Sequence, residues 1–512
     1  MKKHSKKIFA ALALILALAC TLTACAPAAA SSGNADSKAS ETPASSKTDE
    51  KPVTLKYVNY GAKPDTGNCD GIWKAMNDIL LKDLNCTVDV EYLGSGDKAQ
   101  MVLKYAGNEK FDFAYSAHWW GFSENAQSNA FYELKMDELK QYAPYMVETL
   151  PDIAWKQASI GGKIYMLPNI NFEYGFQVVM YRGDLLEKYG LTKLKTMDDL
   201  DKYMELVAKN ETGIEVLYTA DTLGLWELNP NYLKGDPWAY QYNDPDKQTF
   251  DHIAMWDGYM EFAKKMRDFQ EKGIISPERI SDTSNPLDKF KNGLSAVVAH
   301  NVGTINTLAL NVAKEHPEWK VDFFNPYMGN QVVLTAFTGN GFVITRTSEH
   351  PTKVIEVVNH IYESVELYKL LNFGVEGVDY EMKDGKLYSI ADVPADKKFD
   401  IGCNWNMQNS LLQDTFVVKE MFDGYKEICE DFKKNTVSHP LQAFTFDKSA
   451  VETEMANLSA VNKEYSAIKY GMIEDVESAV AEYRAALKAA GYDKDKAEND
   501  RQVKEFMVTY NN

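Results

Sequence analysis

The residues of this chain that could handle a ligand are aromatic rings set beside amides, at the ends of short apolar runs. Tyr60 closes the run 53–60, and His118-Trp119-Trp120 follows the run 111–115. Two adjacent tryptophans on a regular element cannot face one core, so at least one of Trp119 and Trp120 is expected at a cleft, against the alternative that both pack under the next loop. Tyr174 stands beside Glu173, between the apolar runs 163–167 and 176–181, and Trp226 and Trp238 fall in an irregular stretch rich in Asn, Asp and Pro. Asn301 opens a predicted helix, as a ligand group or simply as its cap. Asn340 lies in Thr338-Gly339-Asn340-Gly341, and Glu376 in Gly374-Val375-Glu376-Gly377, where a lone acid is also at home in solvent. Trp405 sits among four amides, in Asn404-Trp405-Asn406-Met407-Gln408-Asn409, as part of a clamp or as a buried ring in a surface loop. Aromatic walls with a few placed polar groups are the usual design of a small-molecule pocket.

Catalytic chemistry is poorly represented, and no catalytic residue is assigned. The chain contains no G-x-S-x-G, no H-E-x-x-H and no Walker A motif, and Gly94-Ser95-Gly96-Asp97-Lys98 has the wrong spacing for a phosphate loop. His118 has no second histidine at ligand spacing, and the acidic run Asp493, Asp495, Asp500 lacks the central glycine of a calcium loop, so neither a metal nor a cofactor is expected. The net charge is −19, and Lys2, Lys3, Lys6 and Lys7 account for four of the positive charges. Such a chain repels polyphosphate, which argues against a nucleic-acid partner.

The elements that must position these residues read as α/β. Strand-like runs at 53–60, 87–92 and 111–115 alternate with helical patterns at 69–84 and 98–105, the start of a mostly parallel sheet with right-handed crossovers. Ligands in such sheets bind beyond the carboxyl ends of the strands, here Tyr60-Gly61, 93–97 and 116–120. The stretch 161–182 is broken by Pro168 and Gly175 and is expected to carry the chain from one folded unit to another. The α/β pattern resumes from 185 onward, with helices at 197–209, 256–271, 301–314 and 353–371 and a small strand at 295–299. A second strand pair interrupted by glycine, 332–345, suggests a return. Helices near 449–465, 473–490 and 495–510 close the chain. At 512 residues, two or more domains are expected.

The N-terminus has a basic region, an apolar stretch at 8–20 too short to be a resident span, and then Leu22-Thr23-Ala24-Cys25. That tetrapeptide resembles the bacterial lipobox, which implies cleavage before Cys25 and acylation of its thiol. The composition of 26–52, dominated by Ala, Ser, Thr, Lys and acids, is that of a disordered tether. Cys69, Cys86, Cys403 and Cys429 show no C-x-x-C spacing and are expected to be unpaired.

Lipobox, tether, alternating strands and helices and then Gly162-Lys163-Ile164-Tyr165 with Pro168 resemble the extracellular solute-binding proteins of bacterial ABC importers. Phe111-Asp112, Ala143-Pro144, Trp155, Tyr181-Arg182, the run 372–380, Ala490-Gly491-Tyr492 and Arg501-Gln502 are similar to the carbohydrate-type lipoprotein branch that ends in a domain of unknown function. The resemblance implies a two-lobed, periplasmic-binding-protein-like fold with hinge crossovers and extra C-terminal helices. It divides the chain into a signal peptide (1–24), a tether (25–52), the first part of lobe 1 (53–172), the first part of lobe 2 (173–338), a return to lobe 1 (339–395) and a C-terminal helical region completing the lobes (396–512). It further implies a non-enzymatic receptor, monomeric and lipid-anchored on the outer face of a membrane, and a lipobox followed by an Ala/Ser-rich tether suits a Gram-positive surface. The receptor would take an oligosaccharide or sugar derivative, or else a peptide or other polar solute, to permease subunits; a surface glycan-processing enzyme is the remoter alternative. A sugar's C–H faces suit the aromatics and its hydroxyls suit the amides. Two or more acyl chains hold a protein stably at a bilayer. A Cys25→Ala protein is therefore expected in the soluble fraction after cell lysis and phase partitioning, where the parent chain sediments with membranes.

Overall fold

Period-two alternation decides the first sheet. Leu55, Tyr57, Phe113, Phe342 and Ile344 fill one apolar core, and their neighbours Val58, Ala114 and Val343 fill another on the opposite face. The computed structural model describes residues 51–94, 98–171, 177–217, 238–239, 250–329, 332–333, 336–417, 421–437 and 440–510. All of them fall within one compact unit, 51–512.

The first sheet has the order Cys86–Tyr92, Val53–Asn59, Phe113–Ser116, Gly341–Ile344, Leu167–Pro168. Its first three strands are parallel, and Gly341–Ile344 returns antiparallel to both neighbours. Helix Cys69–Leu84 crosses between the first two strands. It buries Ile72, Trp73, Met76 and Leu80 and stops at Asn85, whose left-handed φ of 50° lets its N–H reach the Leu80 carbonyl. The second sheet has the order Asp322–Phe324, Gln177–Tyr181, Ser295–Asn301, Glu215–Leu217. Helices Met197–Asn210 and Val302–Glu315 flank it; the former opens with a capping box between Thr196 and Asp199. Each sheet has its own core, as the two-lobed expectation requires.

Three expectations change in detail. The run 163–167 is not one strand. Gly161 and Gly162, both at positive φ, turn a small hairpin of Ser159–Ile160 and Lys163–Ile164, and Leu167–Pro168 then forms the edge of the first sheet. Proline suits that edge because it has no N–H to leave unpaired. Val332–Val333 does not pair with the glycine-rich return strand but with Thr436–Val437. The single helix foreseen over 353–371 is two, Pro351–Glu363 and Val365–Phe373. They part at extended Ser364, whose hydroxyl accepts the Leu367 N–H at 3.3 Å; a serine that can cap a new helix competes with continuing the old one.

The chain crosses between sheets at 169–176, at 325–340 and again after Ser410–Phe416. The crossings run side by side: Gly341 pairs with Pro168, and Ile170 bridges to Asn409. A Cβ on Gly341 would stand 2.7 Å from the Leu167 carbonyl oxygen, so the strand contact requires glycine there. The C-terminal helices Glu452–Glu464 and Val476–Ala489 bury Leu458, Val480 and Leu487 in the second core, whereas Ile401 and Met407 enter the first. Cys69, Cys86 and Cys403 are buried thiols outside any disulfide, and Cys429 is half-buried.

The loop after helix Val365–Phe373 is organised by one carboxylate. Asp379, 8 % exposed, accepts the Val375 N–H at 2.8 Å and the Phe399 N–H at 2.6 Å. Removing it strands two backbone donors, each hydrogen-bonded to a charged group. Asp379→Ala is expected to cost about 2–4 kcal/mol of stability, read as a lower melting temperature with the far-UV spectrum of the folded protein retained.

Candidate functional site

The carboxyl ends of the first sheet carry a cluster of rings. Tyr60 follows Asn59, which ends the first strand, and its backbone N–H bonds the Asn59 side-chain oxygen at 2.9 Å. Around it stand Tyr115 at 5.2 Å between centroids, Trp119 at 5.8 Å, Trp120 at 5.2 Å and Trp405 at 5.7 Å. Trp119 and Trp120 meet Tyr60 edge-on, at 86° and 89°, the arrangement that the quadrupoles of aromatic rings favour. Trp119 and Trp405 lie 6.4 Å apart, their planes inclined by 56°.

Of the tryptophan pair, one faces out and one in. Trp120 is 6 % exposed and packs against Tyr60 and Tyr115, whereas Trp119 is 46 % exposed and Trp405 48 %. Two large apolar rings half in solvent, braced from behind by two more, form a platform and not a core. Trp119 cannot swing freely, because its indole N–H donates to the Gly339 carbonyl at 2.8 Å. Its polar edge is thereby occupied and its ring face left for contact.

Asn340 belongs to the same site from the far side of the chain. Burial holds the Tyr115 hydroxyl protonated, well above the ordinary phenol range, so it donates to the Asn340 side-chain oxygen, at 2.6 Å. That fixes the amide flip and leaves the Asn340 NH₂ turned away from Tyr115. The return strand therefore brings a placed donor next to the rings.

Trp405 is positioned by the amides around it, which the sequence pairs with it as a clamp. The structure turns them inward. Asn404 bonds the Leu371 carbonyl at 3.0 Å and Gln408 the Asn372 side chain at 2.7 Å. Asn406 and Asn409, both fully buried, bond the Tyr57 hydroxyl at 3.0 Å and the Tyr362 carbonyl at 2.8 Å. Their amide N–H groups are spent inside the protein and hold the loop rather than reach for a ligand. Asn169, on the first crossing, adds a 3.1 Å bond to the Trp405 carbonyl.

The remaining sequence candidates are not gathered here. Asn301, at the end of the second sheet, accepts the Thr304 N–H at 2.8 Å and caps helix Val302–Glu315. Glu376 is exposed in the loop tied by Asp379. Trp238 lies in a two-residue strand paired with Asp251–His252, and Tyr174 and Trp226 fall outside the described residues. Sequence reasoning missed Tyr115, Gly339 and Asn169. Tyr115 was signalled by its place in Phe113–Ser116, where it must share a row with a neighbour on the first strand; the other two act through backbone or loop geometry that no pattern announces. Among the described residues, no group of three or more His, Cys, Asp or Glu is placed to hold a metal ion.

Comparison with known proteins bears on this arrangement. Residues 440–508 match a domain of unknown function, DUF3502. A carbohydrate ABC transporter substrate-binding protein of Streptococcus pneumoniae is 25 % identical over 99 % of this chain and 99 % of its own length. Among solved structures, the N-glycan transport solute-binding protein NgtS of Streptococcus pneumoniae superimposes with a TM-score of 0.74 at 20 % identity, over 89 % of this chain and 99 % of that one. The ABC-transporter substrate-binding protein FusA of S. pneumoniae, in complex with kestose, gives 0.63 at 16 % identity, over 89 % and 100 %. The chain is thus similar in sequence, over nearly its whole length, to a carbohydrate ABC transporter substrate-binding protein, shares the two-lobed fold of NgtS and FusA, and carries the DUF3502 match at its C-terminal end.

Proposed function

We propose that this protein is the substrate-binding component of an ABC importer, that it captures an oligosaccharide or sugar derivative between its two lobes, and that it hands the solute to permease subunits in the membrane. The observation that carries this reading is the pair of half-exposed, braced tryptophans, Trp119 and Trp405, at the carboxyl ends of the first sheet. A pyranose or furanose offers C–H faces to such rings, and the fixed Asn340 amide offers a donor to its hydroxyls. The relatives by sequence and fold, named for carbohydrate, N-glycan and kestose binding, point the same way. The site is assembled from rings and amides, groups that hold a solute rather than cleave it.

The lipobox at Cys25 and the tether behind it favour a monomer anchored by acyl chains on the outer face of the membrane, as on a Gram-positive surface. Among the described residues no helix is long and apolar enough to cross a bilayer. Short crossings between two separately packed sheets support closure by rigid rotation of the lobes about the solute.

A ligand that binds only the folded protein raises its melting temperature. The expected result is a melting shift with at least one member of a broad saccharide panel. Trp119→Ala and Trp405→Ala should each weaken that solute by about 10- to 100-fold in calorimetry, as loss of about 1.5–3 kcal/mol of buried ring contact implies. No shift across the panel, or shifts only with peptides, would refute the saccharide reading.

A further inference from the structure

The DUF3502 segment touches both lobes. Its helices Glu452–Glu464 and Val476–Ala489 belong to the second core, and Tyr492, which opens helix Tyr492–Tyr510, joins them there. The stretch that opens the segment, 440–449, lies on that last helix. Leu441 and Phe444 pack with Phe250 and Val503 in a small apolar cluster apart from both cores, and the Phe444 ring meets Phe250 at 5.5 Å and Phe506 at 5.6 Å between centroids. Gln502 clamps the far end of the stretch, accepting the Asp447 N–H at 2.8 Å and donating to its carbonyl at 2.7 Å. A strap fixed along its length in this way moves with the second lobe.

The other side of the strap rests on the first lobe. Pro440–Ala443 lies against helix Asp152–Gln157, which buries Ala154 and Trp155 in the first core. Further along, the exposed Gln127 side-chain amide donates to the Phe446 carbonyl at 3.0 Å, joining residues 319 positions apart. Helix Phe122–Gln127 is itself packed on the first sheet through Phe122 and Ala126. Beside that bond the two surfaces part around a cavity of about 500 Å³, lined by Glu124, Asn129 and Tyr165 on one side and Asp447, Lys448 and Glu452 on the other. The strap is thus held to the second lobe by packed rings, and near Phe446 to the first by an exposed hydrogen bond at the edge of a polar cavity.

We infer that the strap 440–449 is a latch, which holds the lobes open through Gln127 and lets go when they close on a solute. The inference rests on the receptor reading above and deepens it, by giving the DUF3502 segment a part in closure. Trp119 and Trp405 stand 46 % and 48 % exposed in the arrangement in which Gln127 reaches Phe446, so the latched arrangement is one that leaves the platform uncovered. Rotation about the crossings 169–176 and 325–340 carries the second lobe, and the strap with it, past helix Phe122–Gln127. Pairing of Thr436–Val437 with Val332–Val333 sets the start of the strap beside the crossing 325–340, where rotation displaces it least. Phe446, further along the strap, is displaced more. A solvent-exposed amide–carbonyl bond is readily exchanged for bonds to water, so it biases the balance between open and closed lobes without locking it.

The test uses the full mature chain and the saccharide panel above, with kestose, maltotetraose and Man5GlcNAc among its members. A bond that only the open form makes opposes closure, so Gln127→Ala is expected to tighten calorimetric binding of whichever probe binds by about two- to fivefold. Gln502→Ala, which frees the strap from the last helix, should act in the same direction. The double variant should bind no more tightly than the tighter of the two, because a latch undone at one end has nothing left to lose at the other. Unchanged or weaker binding by Gln127→Ala overturns the inference, and so do two single effects that simply add. A second arm needs no solute: amide hydrogen exchange in helix Phe122–Gln127, followed by mass spectrometry, should be faster in Gln502→Ala than in the parent. Equal exchange rates overturn the contact on which the latch depends. A parent chain that binds no member of the panel defeats the receptor reading itself, while the exchange arm still judges the contact between strap and first lobe.

Discussion

A buried chain of hydrogen bonds between the first strand and the segment 403–406 underlies the ring cluster. The Tyr57 hydroxyl, held protonated by burial, donates to the Asn59 side-chain oxygen at 2.8 Å, the Asn406 amide donates to Tyr57 at 3.0 Å, and the Asn59 amide donates to the Cys403 carbonyl at 2.9 Å. Every one of these groups is buried, so each bond made relieves a desolvation cost, and none can be dropped without stranding a partner. The network clamps 403–406 onto the first strand, and Trp405 lies inside the clamped stretch. The same Asn59 oxygen receives the Tyr60 N–H. One constraint thus sets both the central ring of the platform and one of its exposed faces.

That dependence explains why the amides around Trp405 look like ligand groups in one dimension and behave as scaffold in three. A polar residue beside an aromatic is compatible with either role, and burial decides between them. Once helix Val365–Phe373 and the first strand close over the 403–409 segment, Asn404, Asn406, Gln408 and Asn409 have only protein to bond. The Trp405 ring is left at the surface, 48 % exposed. Rings held in this way are preorganised, because their rotamers are already fixed from behind.

The C-terminal helices show the same division. The sequence is legible as charged helices near 449–465 and 473–490, but it says nothing about which lobe receives them. They join the core around the second sheet, while 401–407 joins the first. Gln502, read only as part of a family-like pair with Arg501, takes the Asp447 N–H at 2.8 Å and donates back to its carbonyl at 2.7 Å. The DUF3502 segment is tied to itself in this way, where its amide and the loop it holds are far apart in sequence.

Local rules carried much of the fold. Strand-like runs at 53–60, 87–92 and 111–115 marked the strands that form at 53–59, 86–92 and 113–116, and helical spacing placed Cys69–Leu84 to the residue, because burial of one face of one element is a short-range demand. The same patterns located the strand ends, and with them Tyr60 and the Trp119-Trp120 pair, as places where a ligand could sit. Which tryptophan faces out could not be read locally, since both alternatives satisfy the same spacing; Tyr60 and Tyr115 decided it by filling the space around Trp120. The arrival of Trp405, Gly339 and Asn340 beside Tyr60 was likewise a matter of tertiary structure. Sequence by itself determined the elements and the chemistry available at their ends. Only the folded chain decided which ends meet, because that depends on contacts between residues hundreds of positions apart, each too weak to leave a pattern of its own.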